Sequence, residues 1–143
     1  MRHILKRFDV PAVSRWLILI AWMSVFLIYL LQSEAHPLLS TGIPPGPPTL
    51  ARDAFFSTIH LLAYVVTTLL WVWVLITRLP FTRALGVTFV LVISMGFLTE
   101  VGQTLTPDRH FQLIDLAANT GGLCIGLGMW WGLNKLKTLS PLS

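Results

Sequence analysis

The chain has 143 residues, of which 55% are hydrophobic and 11% are charged. Soluble globular proteins are about 25% charged, so this composition, with a mean hydropathy of +0.74, is typical of a membrane protein. The length suits a single domain covering residues 1–143. The one cysteine, Cys124, excludes an intrachain disulfide and a cysteine-based zinc cage.

Four stretches contain no Asp, Glu, Lys or Arg and are near the length of about 20 residues that a helix needs to cross the hydrocarbon core. They predict an all-α fold, namely an integral membrane bundle of four transmembrane helices. The predicted helices cover about residues 14–32, 54–77, 82–104 and 115–134, with loops at about 33–53 and 105–114. The third helix must extend past Glu100 to span the membrane, which places this carboxylate near its end.

The first predicted helix loosely resembles a cleavable signal peptide, because basic residues precede it and Ser33-Glu34-Ala35 follows it. Its apolar stretch is longer than a usual signal core, and residues 34–37 make a poor small-residue cleavage site. We therefore expect this segment to be retained as a membrane anchor.

The basic residues predict the orientation, since cytoplasmic loops are enriched in Lys and Arg. Of the ten basic residues, only Arg52 and Arg109 fall in the two predicted loops. The other eight are Arg2, Lys6, Arg7, Arg15, Arg78, Arg83, Lys135 and Lys137. Both termini are therefore predicted to be cytoplasmic and both loops extracytoplasmic. The pI of about 9.9 reflects this bias, so no nucleic acid is expected as a partner.

Seven polar residues occur where a bilayer-spanning protein should have very few, and ionisable side chains at membrane depth usually mark a functional site. On each helix they are three or four residues apart, which places them on one face. These pairs are His60 with Tyr64, Glu100 with Gln103, and Asp115 with Asn119. Arg109 lies in the short loop between the third and fourth helices. We expect all seven to converge on the extracytoplasmic side as a ligand-binding site.

Each of these residues also has an ordinary structural interpretation. His60 and Tyr64 would each be satisfied by an interhelical hydrogen bond to a neighbouring helix. Glu100 and Asp115 would be interfacial carboxylates in headgroup water, and Arg109 would clamp the loop by pairing with a neighbouring carboxylate. These interpretations weaken when taken jointly, because two carboxylates, two amides, an arginine and a histidine converge in a protein with little other polarity.

The fourth predicted helix is rich in glycine, and Gly122 and Gly126 continue the face that carries Asn119. Their spacing lets helix backbones approach closely in lipid. We expect this pair to pack against the second and third helices, although a dimer interface is an alternative. Gly128 and Gly132 repeat the same spacing.

The order of these residues resembles the signature of the VanZ-like membrane proteins. The matching residues are His60-x-x-x-Tyr64, Glu100-x-x-Gln103, Pro107-x-Arg109 and Asp115-x-x-x-Asn119-x-x-Gly122-x-x-x-Gly126. The resemblance covers about residues 59–126 and departs from the family at Phe56-Ser57, where members often carry Asp-Lys. It implies a small multi-pass protein of the bacterial inner membrane, from a family linked to resistance to the glycopeptide antibiotic teicoplanin.

Three functions remain open. The first is binding or modulation of a membrane lipid, a lipid-linked cell-wall intermediate or a lipophilic glycopeptide, with Arg109 pairing with a phosphate or carboxylate. The second is an enzyme acting on such a lipid, with Glu100 or His60 as general base and Asp115 orienting it. The third is an accessory subunit of a larger membrane complex.

The absence of a recognised nucleophile motif or nucleotide-binding loop favours the binding function over the enzyme. His60, Glu100 and Asp115 offer metal-ligating atoms, yet no recognised ligand motif connects them. No metal and no other cofactor is therefore expected from the sequence.

Overall fold

The computed structural model describes residues 10–32, 49–106 and 111–139, with the backbone alone at 50–53 and 137–139. This part of the chain forms four α-helices and no strand. They are α1 (Ala12–Leu31), α2 (Leu50–Leu75), α3 (Phe81–Gln103) and α4 (Leu113–Leu139). Each helix contains a segment long and apolar enough to cross a membrane. The predicted all-α fold is confirmed for this part of the chain, and its four long apolar helices indicate a multi-pass membrane protein.

Two helix ends differ from their predicted positions by four residues or more, while the others agree within two residues. Helix α2 begins four residues earlier than predicted, at Leu50, and α4 continues five residues beyond its predicted end, to Leu139. The absence of charge identifies only the segment that can lie in hydrocarbon, and in α2 that segment is Ala54–Leu75. A helix extends beyond such a segment, because its backbone hydrogen bonds form equally well outside the membrane.

The most extensive helix interface joins α2 and α4, while α3 packs against both of these helices. Helix α1 packs against α2 and α3. A short turn after Leu75 leads into α3, so α2 and α3 run in opposite directions. As a result, the start of α2, the end of α3 and the start of α4 meet at one end of the bundle.

The core lies where α1, α2, α3 and α4 face one another. It is formed by the buried side chains of Phe26, Leu30, Tyr64, Val92 and Leu123. The rings of Phe26 and Tyr64 meet edge to face, with their centroids 5.3 Å apart. The opposite faces of the helices are apolar and exposed, which is the pattern expected of helices that face lipid.

Polar side chains also join the helices to one another. The indole Nε1 of Trp22 in α1 donates to Thr67 Oγ1 in α2 at 2.9 Å. The indole Nε1 of Trp130 in α4 donates to the carbonyl of Leu69 at 3.1 Å. Interhelical hydrogen bonds of this kind contribute about 0.6 kcal/mol each in membrane proteins.

Candidate functional site

A group of buried polar side chains lies at the end of the bundle where α2 begins, α3 ends and α4 begins. We call it the polar cluster, and it consists of Ser57, His60, Glu100, Asp115 and Asn119. None of the five is more than 9% exposed, and Glu100 is completely buried. Neither carboxylate therefore lies in headgroup water. The structure brings together four of the seven residues predicted from the sequence.

Asn119 connects the histidine to the glutamate. Its Nδ2 lies 3.4 Å from Glu100 Oε1, and its Oδ1 lies 3.1 Å from His60 Nδ1. A carboxylate can only accept hydrogen bonds, so the amide nitrogen of Asn119 must face Glu100. The amide oxygen then faces His60, whose Nδ1 carries the proton and donates it to this oxygen.

Asp115 lies in the first turn of α4 and is held by α2. The hydroxyl of Ser57 donates to Asp115 Oδ1 at 2.7 Å. A negative charge in the first turn of a helix is stabilised by the helix dipole, by about 0.3–1 kcal/mol at exposed sites. The chain thus places this carboxylate at the N-terminal end of α4, within hydrogen-bond reach of α2.

Glu100 lies in the last turn of α3 and also contacts the segment before α4. The backbone N–H of Gln112 donates to Glu100 Oε2 at 3.3 Å. This bond brings the chain that follows the α3–α4 loop back to the polar cluster. Arg109, predicted to lie over the cluster, falls outside the residues that the structure describes.

Tyr64 lies one turn below His60 on α2 and pairs with Thr99 rather than with the polar cluster. The Thr99 hydroxyl donates to the carbonyl of Gly96 at 3.0 Å, so Tyr64 donates its own hydroxyl to Thr99 Oγ1, also at 3.0 Å. Tyr64 is fully buried. In this structure it connects α2 to α3 beneath the predicted site.

Gln103 is buried one turn beyond Glu100, and its Nε2 donates to the carbonyl of Leu30 in α1 at 3.1 Å. The sequence placed Gln103 among the ligand-binding residues, beside Glu100. The structure directs its amide towards α1, whose last turn it connects to α3.

Two residues of this region were missed by the sequence analysis as site residues, namely Ser57 and Thr99. Ser57 is three positions before His60, a spacing that places the two on the same face of α2. Thr99 directly precedes Glu100. Hydroxyl side chains are common in membrane helices and usually bond within their own helix, so the presence of a serine or threonine alone does not predict a site. The helical spacing was the signal that could have identified Ser57.

The polar cluster also has the composition of a metal site. His60, Glu100 and Asp115 each offer a ligand atom, and these atoms all lie within 4.8 Å of one another. His60 Nδ1 lies 4.0 Å from Glu100 Oε1. The three residues come from α2, α3 and α4, so the site depends on the packing of these helices.

Two apolar grooves run along α1 beside this end of the bundle. The α1–α2 groove has a volume of about 280 Å³ and includes Ile59, the neighbour of His60. The α1–α3 groove has a volume of about 450 Å³ and includes Leu98 and Gly102, which flank Glu100 in sequence. Apolar chains therefore have space along α1 on two sides of the bundle.

Comparison of the chain with protein-family models, with curated proteins and with solved structures gave no match.

Proposed function

We propose that this chain binds or modulates a lipid-linked envelope component or a lipophilic glycopeptide at the polar cluster, in the manner of the VanZ-like proteins that its sequence resembles. The observation that carries the proposal is the burial of two carboxylates, an imidazole and an amide at one end of an otherwise apolar bundle. Ionisable groups in such a position are costly and are retained mainly where they act on a ligand or an ion.

The surroundings of the polar cluster suit an amphiphile. A polar head would contact the cluster, while an acyl chain would occupy a neighbouring groove. The α1–α3 groove, at about 450 Å³, falls within the range of about 300–1,000 Å³ that small-molecule sites occupy. Its lining is apolar, with Leu31, Met95 and Leu98 among its residues.

The charges in and beside the cluster favour a head group with both donors and anionic groups. The carboxylates of Glu100 and Asp115 accept hydrogen bonds from hydroxyl or ammonium groups, as found on sugars and glycopeptides. In this proposal Arg109 supplies the complementary partner, since its planar guanidinium suits a phosphate or carboxylate. The bond between Gln112 N and Glu100 supports this placement, because it anchors the segment that follows Arg109.

Binding is tested with the full chain in lipid nanodiscs and labelled teicoplanin as the probe. We expect saturable binding that is stronger than that of a glycopeptide without an acyl chain. Arg109→Lys should weaken it about tenfold, which is about 1.4 kcal/mol, through loss of the bidentate contact. Arg83→Lys is the matched control, because Arg83 is exposed and follows the start of α3 at the opposite end of the bundle. Binding no stronger than to empty nanodiscs would contradict the proposal.

The proposed orientation places the polar cluster on the extracytoplasmic side of the bacterial inner membrane. It is supported by Arg15, Arg78, Arg83 and Lys135, which all lie towards the opposite end of the bundle. A topology reporter fused after Lys137 should therefore be active only in its cytoplasmic form. A reporter inserted at residues 44–48 should be active only in its exported form. The reverse result in both fusions would place the cluster on the cytoplasmic side.

A further inference from the structure

We infer that the polar cluster is a binding site for one divalent transition-metal ion, with His60, Glu100 and Asp115 as its protein ligands. Each ligand comes from a different helix, and their ligand atoms lie within 4.8 Å of one another. All three side chains are at least nine-tenths buried. A metal at this point would join α2, α3 and α4 at one end of the bundle.

The set of donor atoms selects the class of metal. One imidazole nitrogen and two carboxylate oxygens suit Zn²⁺ or Mn²⁺ better than Mg²⁺ or Ca²⁺, which prefer oxygen alone. Zinc lies about 2.0–2.2 Å from such ligands, so neighbouring ligand atoms in a tetrahedral site are about 3.4 Å apart. The distance of 4.0 Å between His60 Nδ1 and Glu100 Oε1 is close enough for side-chain rotation to bring both onto one ion.

Asn119 is placed to complete the coordination. Its Oδ1 accepts the His60 Nδ1 proton at 3.1 Å, and a cation would take the position of this proton. The imidazole then binds as its neutral tautomer, with the proton on Nε2. The amide oxygen of Asn119, which already faces this nitrogen, would supply a fourth ligand atom.

The surrounding hydrogen bonds are those that orient metal ligands in proteins. Ser57 holds Asp115, and the Asn119 amide and the Gln112 backbone N–H hold the two oxygens of Glu100. Such partners fix the orientation of the ligands, and their loss typically weakens metal binding about 10–100-fold. Moreover, two carboxylates held this close repel each other in a medium of low dielectric, and a divalent cation between them would reverse that repulsion.

This inference does not depend on the identity of the amphiphile. A bound cation would offset the two carboxylates and make the cluster more favourable for a phosphate group. Metal binding without teicoplanin binding would leave the metal site intact and remove the proposed function. Teicoplanin binding without retention of a metal would support the proposed function and overturn the metal site.

The experiment uses the full chain carrying Cys124→Ser, which removes an exposed thiol that would bind zinc on its own. The protein is purified in detergent, treated with a chelator, and incubated with zinc chloride, manganese chloride or magnesium chloride. We expect one zinc or manganese ion per chain by elemental analysis and a rise of several degrees in the melting temperature. Failure to retain either metal, or an equal response to magnesium, would overturn the inference.

Three variants locate the ion. Asp115→Asn should abolish retention, and Ser57→Ala should weaken zinc affinity by about tenfold or more while leaving one site per chain. Thr58→Ala is the matched control, because Thr58 is exposed and its hydroxyl donates to the carbonyl of Ala54 in its own helix. If Asp115→Asn fails to fold, the zinc affinity of Ser57→Ala tests whether the ion lies at the polar cluster. Zinc affinity equal to that of the parent in Ser57→Ala would place the ion elsewhere and overturn the inference.

Discussion

Replacement of Gly122 by alanine should destabilise the bundle, whereas the same replacement at Gly128 should leave its stability unchanged or raise it. A Cβ atom at Gly122 would lie 2.8 Å from Tyr64 Cβ and 3.0 Å from the backbone nitrogen of Val65, and it would also clash with the carbonyl oxygen of Leu61. Two of these three atoms belong to the backbone of α2, so no side-chain rotation relieves the clash. Helices α2 and α4 would have to move apart.

The size of the effect follows from two opposing contributions. Overpacking a well-packed interface costs about 1–3 kcal/mol, and the clash at Gly122 is with backbone, at the upper end of that range. Alanine is favoured over glycine in a helix by about 1 kcal/mol, and this gain applies to both positions. At Gly128 no atom of the described residues lies within 4 Å of the added atom, so only the gain remains. The same mutation should therefore destabilise the bundle at Gly122 and leave its stability unchanged or raise it at Gly128, six residues further along α4.

Thermal unfolding of the purified protein in detergent measures both variants. Gly126→Ala provides a second test on the same face, since its Cβ would lie 2.7 Å from Thr68 Cβ. Thr68 cannot easily move, because it is fully buried and its hydroxyl donates to the carbonyl of Tyr64. A normal melting temperature for both Gly122→Ala and Gly126→Ala would refute the close contact between α2 and α4.

These glycines show what the sequence could and could not reveal. Gly122 with Gly126, and Gly128 with Gly132, have the same spacing of four residues and occur on the same helix. The structure places the first pair against α2, whereas no atom in the part of the chain that it describes lies within 4 Å of a Cβ added to the second pair. Spacing identifies positions that permit close approach, but the angle at which two helices cross decides where the approach occurs.

For the polar residues, too, the sequence predicts which positions share a helix face but not which partners they meet on other helices. Helical periodicity correctly grouped Asp115 with Asn119 on one face of α4, because both lie in the polar cluster. It could not show that Asn119 would connect His60 to Glu100, or that Gln103 would turn towards Leu30 in α1. Partners on other helices depend on how far each helix is shifted along and rotated about its axis, and the packing of large side chains sets those values.

The sequence offered His60, Glu100 and Asp115 as possible metal ligands but did not predict a metal site from them, for a related reason. Recognised ligand motifs place two or more ligands close together in sequence, as on one helix or in one loop. Here the nearest two ligands, Glu100 and Asp115, are separated by the α3–α4 loop, and His60 lies on a third helix. Only the folded bundle brings the three together.

Glu100→Gln should abolish binding at the polar cluster while changing the free energy of unfolding by no more than about 1 kcal/mol. Glutamine has nearly the same shape as glutamate, and its Oε1 can still accept a hydrogen bond from Asn119 or from Gln112. One of these two donors loses its partner, which costs about 1–3 kcal/mol. Removal of a fully buried charge offsets this cost, since burying a carboxylate carries a desolvation penalty of several kcal/mol.

The measurements are the melting temperature and the affinity for teicoplanin and for zinc, made on the same preparations. Thr88→Val is the matched control on α3, because Thr88 is fully buried and its hydroxyl has no hydrogen-bond partner among residues 10–32, 49–106 and 111–139. It should raise stability by about 1 kcal/mol or more without changing either affinity. A cluster that serves only to hold the helices together predicts the opposite for Glu100→Gln, namely a large loss of stability with unchanged affinity in the molecules that remain folded. That outcome would contradict binding of both teicoplanin and zinc at the polar cluster. The Glu100 carboxylate, which both proposals require, would then have only a structural role.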